Sequence, residues 1–150
     1  MAAEASTVVL DRYCTFWVGE QHYGIEIGSV REVLKTQRTT PVPTASPIIG
    51  GLINLRGEIV TAIDLRTRLE LPPREDGTPM SVVVSLDGEV VSLVVDSVGD
   101  VVDLSPTAIQ PTPATVHPQI SELMIGVFRQ PDGLVQILDA KRLIPSDQEE

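Results

Sequence analysis

Residues 47–66 read PIIGGLINLRGEIVTAIDLR, and this stretch decides the fold. Apolar residues alternate with other side chains on both sides of Arg56-Gly57, the pattern of two strands joined by a tight turn. Gly57 suits the positive backbone dihedral that such a turn requires. Gly51 permits a neighbouring backbone or side chain to approach closely. The stretch therefore predicts a β-hairpin that projects Arg56 from its turn.

Arg56 at this turn has two interpretations. It is either a surface arginine that aids solubility or an anchor for a partner protein. Arginine is enriched at interface hot spots, and its planar fork pairs with carboxylates in a bidentate manner. The residues alone leave both interpretations open.

The rest of the chain also indicates short strands. Aromatic residues make up only 3% of the chain, so its core must be aliphatic, and valine is dense between residues 82 and 102. β-Branched residues in short runs favour strands over helices. Asp87-Gly88 is the strongest short hairpin signal, and Asp132-Gly133 marks another turn. Short strands separated by Gly and Pro turns predict small barrels.

A few short helices are expected between the strands. Ser29 is positioned to cap a helix over residues 30–34, and Asp64 to cap one turn over residues 65–69. A last short helix is expected over residues 140–144. The predicted fold class is all-β with short helices, and the two halves of the chain fit two small barrels packed around a shared apolar core.

The two halves differ in charge. Residues 1–74 hold eight Lys or Arg and eight Asp or Glu, whereas residues 75–150 hold three and thirteen. The second half therefore carries the whole net charge of −10. Such a surface repels phosphates, which argues against nucleic acids and anionic membranes as partners.

The expected organisation is a single domain over residues 12–144, with a flexible tail at 1–11 and an acidic tail at 145–150. The proline-rich residues 71–79 coincide with the change in charge and are the best candidate for a linker between the two barrels. No segment approaches ~20 continuous apolar residues. Residues 1–7 lack the features of a signal peptide. The sequence therefore predicts a cytoplasmic protein.

The sequence offers little for catalysis or metal binding. It has no phosphate-binding glycine loop with a lysine and no nucleophile elbow. Cys14 is expected to be a buried, inert thiol, and with His22 and His117 it is too little for a structural zinc site. Three aspartates between residues 96 and 103 alternate with valines as in a strand and lack the pattern of a calcium loop. No enzyme activity, metal or cofactor is therefore expected.

Residues 51–57, GLINLRG, followed by IDLR at 63–66, resemble the signature of the CheW family. The resemblance extends to the opening hairpin at 16–27 and the closing pattern at 126–138, and it covers roughly residues 12–143. It implies two SH3-like five-stranded β-barrels that bind no cofactor.

The resemblance also implies a non-catalytic adaptor that couples chemoreceptors, the methyl-accepting chemotaxis proteins, to a CheA-type histidine kinase. The receptor offers its cytoplasmic helical tip, and the kinase its regulatory domain, which has the same fold and pairs barrel to barrel with the adaptor. The adaptor is expected at membrane-associated receptor clusters, without inserting into the membrane. The residues that match the family's receptor-binding region, or that form walls of the groove between the barrels, are Ile27, Val30, Glu32, Gly51, Asn54, Arg56, Val95 and Val98.

The loop over residues 109–115 matches a region that the family uses toward the kinase. Its candidate contacts are Ile109, Gln110 and Thr115. The loop departs from expectation in having no charged or aromatic residue, so it lacks a strong anchor. Two alternatives stay open: an adaptor of a chemosensory pathway other than motility, and a stand-alone SH3-like peptide-binding module, which needs a cluster of exposed aromatic residues.

Overall fold

The structure, a computed structural model, describes residues 10–35, 39–43, 46–73, 78–131 and 133–145. Within these ranges the chain forms eleven strands, three short α-helices and two 3-10 turns. The strands are β1 (Asp11–Val18), β2 (Gln21–Glu26), β3 (Val30–Lys35), β4 (Thr39–Thr40), β5 (Ile49–Leu55), β6 (Glu58–Asp64), β7 (Met80–Leu86), β8 (Glu89–Val95), β9 (Ser97–Leu104), β10 (Met124–Gln130) and β11 (Gly133–Leu138). The helices are α1 (Leu65–Arg68), α2 (Pro118–Ser121) and α3 (Ala140–Leu143), and the 3-10 turns are Ile27–Ser29 and Pro106–Ala108.

The described strands form two sheets, one for each small barrel. The first barrel has the strand order β10-β11-β2-β1-β9, and the second barrel has the order β3-β7-β8-β6-β5-β4. Neighbouring strands are antiparallel except for the pairs β11–β2 and β6–β8, which are parallel. The expected all-β fold of two SH3-like barrels with short helices is thus confirmed, although the second sheet has six described strands where five were expected, because the two-residue β4 adds to its edge.

The barrels do not follow the two halves of the sequence. The first barrel takes β1 and β2 from the beginning of the chain and β9 to β11 from its end, whereas β3 to β8 form the second barrel. The described chain crosses between the barrels at Ile27–Ser29 and again at Asp96. The strands on either side of residues 71–79 lie in one sheet, because β8 pairs with both β6 and β7. The second barrel is therefore an insertion within the first.

The predicted segments at the ends and in the middle fall partly outside the described residues. This holds for residues 1–9 of the expected tail, for 74–77 of the expected linker, and for the acidic residues beyond Pro145. The predicted turn residue Asp132 also lies outside them. In the described part of the expected tail, β1 already begins at Asp11.

Residues from both barrels fill one apolar core. Phe16 and Ile25 of the first barrel and Ile63 and Leu93 of the second are all fully buried and belong to the same cluster. Burial of each such side chain stabilises the fold by about 1.5–3 kcal/mol. Each barrel also has a smaller interior cluster: Ile53, Leu55, Val60, Ala62 and Val83 in the second, and Tyr13, Leu104, Val135 and Ile137 in the first.

Several local signals act as the sequence indicates. Asp87 (φ +50°) and Gly88 (φ +84°) both adopt left-handed conformations and close the hairpin between β7 and β8. The Asp64 carboxylate accepts a hydrogen bond from the Arg66 backbone N–H at 3.1 Å and so caps α1. Asp139 caps α3 in the same way.

The predicted helix over residues 30–34 is wrong, because this segment is strand β3. Its side chains alternate between half-buried and exposed, and its backbone pairs with β7. The Ser29 hydroxyl donates to the Glu26 carbonyl at 2.8 Å, so it closes the 3-10 turn instead of capping a helix. The β-branched Val30 and Val33 then favour the strand.

The close approach of β4 to Gly51 gives a stability test. Gly51 has φ +138°, and a Cβ there would lie 2.6 Å from the Thr40 carbonyl oxygen. Gly88 also has positive φ but has no atom within 4 Å of an added Cβ. We expect Gly51→Ala to lower the free energy of unfolding by about 1–3 kcal/mol more than Gly88→Ala. Urea denaturation of both variants measures this, and equal losses would contradict the close packing of β4.

Candidate functional site

The turn between β5 and β6 presents Arg56 to solvent. Arg56 (φ +54°) and Gly57 (φ +88°) both have left-handed backbones. The Asn54 side-chain oxygen accepts a hydrogen bond from the Gly57 N–H at 2.8 Å. Asn54, a candidate contact from the sequence, is exposed and holds the turn that carries Arg56.

Arg56 forms a bidentate ion pair with Glu32 of β3. Its Nη1 lies 2.6 Å from Glu32 Oε2 and its Nη2 lies 2.7 Å from Oε1. Beside it, Arg31 Nη1 lies 3.4 Å from Glu58 Oε1. Because β3 is an edge strand of the second barrel, the two ion pairs connect that edge to the β5–β6 turn. The structure thus brings together two of the residues that the sequence singles out.

The two side chains of the ion pair differ in their exposure to solvent, and the pairing favours the charged form of both. The Arg56 side chain is 71% exposed, whereas that of Glu32 is 22% exposed. Hydrogen bonds from Arg56 lower the pKa of Glu32 despite an opposing effect of desolvation, and the positive charges of Arg56 and Arg31 add to this lowering. The bond to Glu32 raises the pKa of Arg56. Glu32 therefore fixes the guanidinium while leaving much of it open to solvent.

Three apolar candidates lie near the places where the chain crosses between the barrels. Ile27 begins the 3-10 turn of the first crossing, and Val98 follows the second crossing at Asp96. Ile27, Val30 and Val98 are half-buried. Val30 and Val98 pack against the shared core with part of their surface. These side chains offer a partner limited apolar contact at the junction of the barrels.

Two of the candidates are buried in the structure, so neither is exposed to a partner. Val95 is 0% exposed and belongs to the shared core. Gly51 is buried, and its missing side chain makes room for the backbone of Thr40. Both residues support the surface from inside. A resemblance in sequence identifies which residue matches a family position, but it does not show whether that residue is exposed.

The sequence reasoning missed two exposed apolar residues that follow ion-paired glutamates in the chain. Val33 follows Glu32 in sequence and is 40% exposed, and Ile59 follows Glu58 and is 64% exposed. The alternation of apolar and charged residues in β3 was the signal for Val33. Interpreting this segment as a helix concealed that alternation.

The candidate loop for the kinase lies on the first barrel, apart from the ion pairs. Gln110 pairs with Val127 of β10 through two backbone hydrogen bonds of 2.8 Å. Ile109 is half-buried and packs against the interior cluster of this barrel, so it offers a partner little surface. Gln110 and Thr115 are exposed.

Thr115 also borders a cavity of about 440 Å³ on the first barrel. The cavity is lined by Trp17, His22 and Leu134, among others. The rings of Trp17 and His22 stack with centroids 4.1 Å apart. The stack places His22 in an aromatic contact on the barrel, in keeping with the expectation that it is a strand residue.

The side chains that could carry out chemistry are buried or paired with other residues of the protein. Burial raises the pKa of the Cys14 thiol, which disfavours the reactive thiolate. Asp96 pairs with Arg66, and Asp103 pairs with Arg12 at 3.1 Å. Among the described residues, no three His, Cys, Asp or Glu side chains are grouped to hold a metal ion. In the same part of the chain, no helix has the length and apolar character needed to cross a membrane.

Comparisons with known proteins agree with this architecture. Residues 12–148 match the model of the CheW-like domain. The chain is 32% identical over 149 residues to chemotaxis protein CheW of Bacillus subtilis, covering 98% of this chain and 94% of that protein. It is 30% identical over 137 residues to chemotaxis protein CheW of Treponema pallidum, with 88% and 81% coverage. The crystal structure of scaffolding protein TtCheW from Thermoanaerobacter tengcongensis matches with a TM-score of 0.83 at 28% identity, with 95% and 92% coverage.

The ion pair makes a prediction for acid titration. In Arg56→Ala, we expect the pKa of Glu32 to rise toward its ordinary value of 4.5, because the hydrogen bonds that lower it are lost. Folding depresses this pKa in the wild type, so the pair's contribution to stability is present above pH 4.5 and is lost as pH falls through the depressed value. NMR titration of the side-chain carboxyl carbon measures the change.

The matched control is Arg129→Ala, which removes an exposed arginine from β10 of the other barrel. We expect it to leave the pKa of Glu32 unchanged. A Glu32 pKa that is equal in the wild type and in Arg56→Ala would show that the pair does not form in solution.

Proposed function

This chain belongs to the CheW-like family, and we propose that it is a scaffold that couples chemoreceptors to a CheA-type histidine kinase in bacterial chemotaxis. The observation that carries the assignment of its receptor surface is the exposed, bidentate Arg56–Glu32 pair. A scaffold acts through its surfaces, and this pair presents a fixed cation on a chain with a net charge of −10.

The electrostatics support Arg56 as a receptor contact. A guanidinium has five N–H donors, and Glu32 engages one end of the Arg56 fork. The remaining donors of this largely exposed group are available to a carboxylate or carbonyl of a partner. Arg56 and Arg31 are adjacent cations on the second barrel, whereas negative charge dominates the sequence as a whole. The exposed guanidinium of Arg56 therefore offers an acidic partner a favourable local contact, although Glu32 and Glu58 balance the charge of the two arginines.

The apolar neighbours fit a helical partner. A coiled-coil tip presents an apolar stripe beside polar residues, and grooves receive such helices through a few apolar anchors. Val30 and the exposed Val33 offer such contacts on β3, the strand that carries Glu32, and Val98 offers one near the crossing at Asp96. We propose that the cytoplasmic tip of a chemoreceptor binds this surface, with Arg56 fixing its position.

The kinase contact is proposed for the opposite barrel. Gln110 and Thr115 are exposed on the first barrel, and the backbone pairing of Gln110 with β10 fixes the loop. A preformed loop loses little conformational freedom when it binds. With the two contacts on separate barrels, receptor and kinase can bind at the same time, as coupling requires. Recruitment to membrane-associated receptor clusters is then expected to depend on the Arg56 surface.

A stand-alone peptide-binding module receives less support. Such a module needs a cluster of exposed aromatic residues, whereas Tyr13, Phe16 and Tyr23 are buried. Trp17, at 37% exposure, is the large aromatic side chain that the described part of the chain exposes most. An adaptor in a pathway other than motility would use the same two surfaces, and the identity of its receptor and kinase would distinguish it.

Replacing the cation tests the receptor surface. We expect Arg56→Glu to weaken binding of a receptor cytoplasmic fragment at least about tenfold, as loss of a hot-spot contact does. The midpoint of thermal unfolding should fall only modestly, because the variant loses one largely exposed ion pair and places a second carboxylate beside Glu32 without disturbing the core. Isothermal titration calorimetry and thermal unfolding measure the two effects. An unchanged affinity would show that Arg56 is not a receptor contact.

The charge-swapped protein Glu32→Arg/Arg56→Glu separates a direct contact from an internal role. The swap restores an opposite-charge pair but leaves a carboxylate where the exposed cation stood. Receptor binding should stay weak in the swapped protein if Arg56 contacts the receptor. Recovery of wild-type affinity would mean that the pair serves only to hold β3 against the turn.

A second variant tests the kinase surface. We expect Thr115→Arg to weaken binding of the kinase regulatory domain by about tenfold or more, because a long charged side chain would replace a small one within the contact. Receptor affinity should not change, because Thr115 lies on the other barrel. Calorimetric titration of each partner measures both values, and equal losses for the two partners would argue against separate surfaces.

A further inference from the structure

Arg66 and Asp96 form a clasp between the two barrels. Arg66 belongs to α1, which follows β6 of the second barrel, and Asp96 is the single residue between β8 and β9. The Arg66 Nε lies 3.2 Å from Asp96 Oδ1, and its Nη2 lies 2.6 Å from Oδ2. The remaining terminal nitrogen, Nη1, donates to the Pro72 carbonyl at 2.7 Å. Three guanidinium nitrogens thus hold one side of the clasp.

The other side of the clasp reaches the first barrel. The Asp96 carboxylate accepts a hydrogen bond from the Gly19 N–H at 2.6 Å, in the turn between β1 and β2. The Asp96 N–H donates to the carbonyl of Trp17 at 2.9 Å. A single carboxylate therefore connects α1 of the second barrel with the β1–β2 hairpin of the first.

The clasp is more sheltered than the surface ion pairs. The side chains of Arg66 and Asp96 are 16% and 21% exposed, whereas those of the Arg12–Asp103 pair are 67% and 48% exposed. Charged hydrogen bonds sheltered from solvent are stronger and more directional than exposed ones. The bidentate fork fixes an angle as well as a distance, which a lysine cannot do.

The clasp also lies at a crossing of the chain between the barrels. Asp96 follows the buried Val95 and precedes Val98 by two residues. The other crossing of the described chain, Ile27–Ser29, begins with Ile27, which is also a candidate residue of the receptor surface. Rotation of the barrels about these crossings would change the positions of Val98 and Ile27 relative to Arg56, which lies on the second barrel.

We propose that Arg66 and Asp96 are positioning residues that set the angle between the barrels and so preorganise the receptor surface. The receptor part of this inference rests on the proposed function, whereas the orientation part does not. A looser clasp lets the barrels sample several angles, and the receptor then binds only the fraction with the correct angle.

The test uses Arg66→Lys, which keeps the charge and loses the fork, and Asp96→Asn, which keeps an acceptor for Gly19. Spin labels at Ser85→Cys of β7 and Arg129→Cys of β10, both exposed sites, are introduced in a Cys14→Ala background. Double electron–electron resonance measures the distribution of distances between the barrels. The matched control is Arg12→Lys, whose pair with Asp103 connects β1 and β9 within the first barrel.

We expect both clasp variants to broaden the distance distribution and to weaken receptor-fragment binding about tenfold, within the usual range of coupling between sites. Binding of the kinase regulatory domain should be unchanged, which a general loss of folding would not allow. Arg12→Lys should change neither measurement. An unchanged distance distribution in folded Arg66→Lys protein would overturn the proposal.

The binding data distinguish this inference from the proposed function. If the wild-type protein binds no receptor fragment while the clasp variants still broaden the distribution, the proposed function is overturned and the orientation role is upheld. If the distribution broadens but receptor affinity is unchanged, preorganisation of the receptor surface is overturned.

Discussion

The apolar core that the two barrels share is the constraint on which the rest of the structure depends. Phe16 and Ile25 enter it from the first barrel, and Ile63 and Leu93 enter it from the second. A barrel of about 60 residues buries a smaller fraction of its surface than a larger domain does, and its stability alone is marginal. Because neither barrel can be removed without exposing this core, the chain behaves as one unit although it has two sheets.

This constraint explains how a small protein can serve as a scaffold. A scaffold has to hold two partners in a fixed relation, and flexible connection of two modules would not achieve that. Here the common core and the clasp between Arg66 and Asp96 restrict the angle between the barrels. The cation at Arg56 lies on the second barrel and the loop at Gln110 lies on the first. The two surfaces are therefore held in a fixed position relative to each other.

Local chemistry in the sequence predicted local structure well. The turn at Asp87-Gly88, the helix cap at Asp64 and the position of Arg56 at a hairpin tip could all be predicted, because each depends on residues that are neighbours in the chain. The strand order was beyond such reasoning. The parallel pairing of β6 with β8 and the contact of Arg66 with Asp96 join residues about 30 positions apart, and no short pattern specifies them. The burial of Val95 likewise depends on strands distant in sequence.

Native-state hydrogen exchange tests the central claim, that the barrels form one cooperative unit. The amides to follow are those of Ile25 in the first barrel and of Val82 and Leu93 in the second, all fully buried residues of the shared core. We predict that their most protected exchange occurs through the same global opening, with the same free energy and the same dependence on denaturant. Exchange of one barrel's core amides at a distinctly lower free energy than the other's would show two independent units and contradict the account.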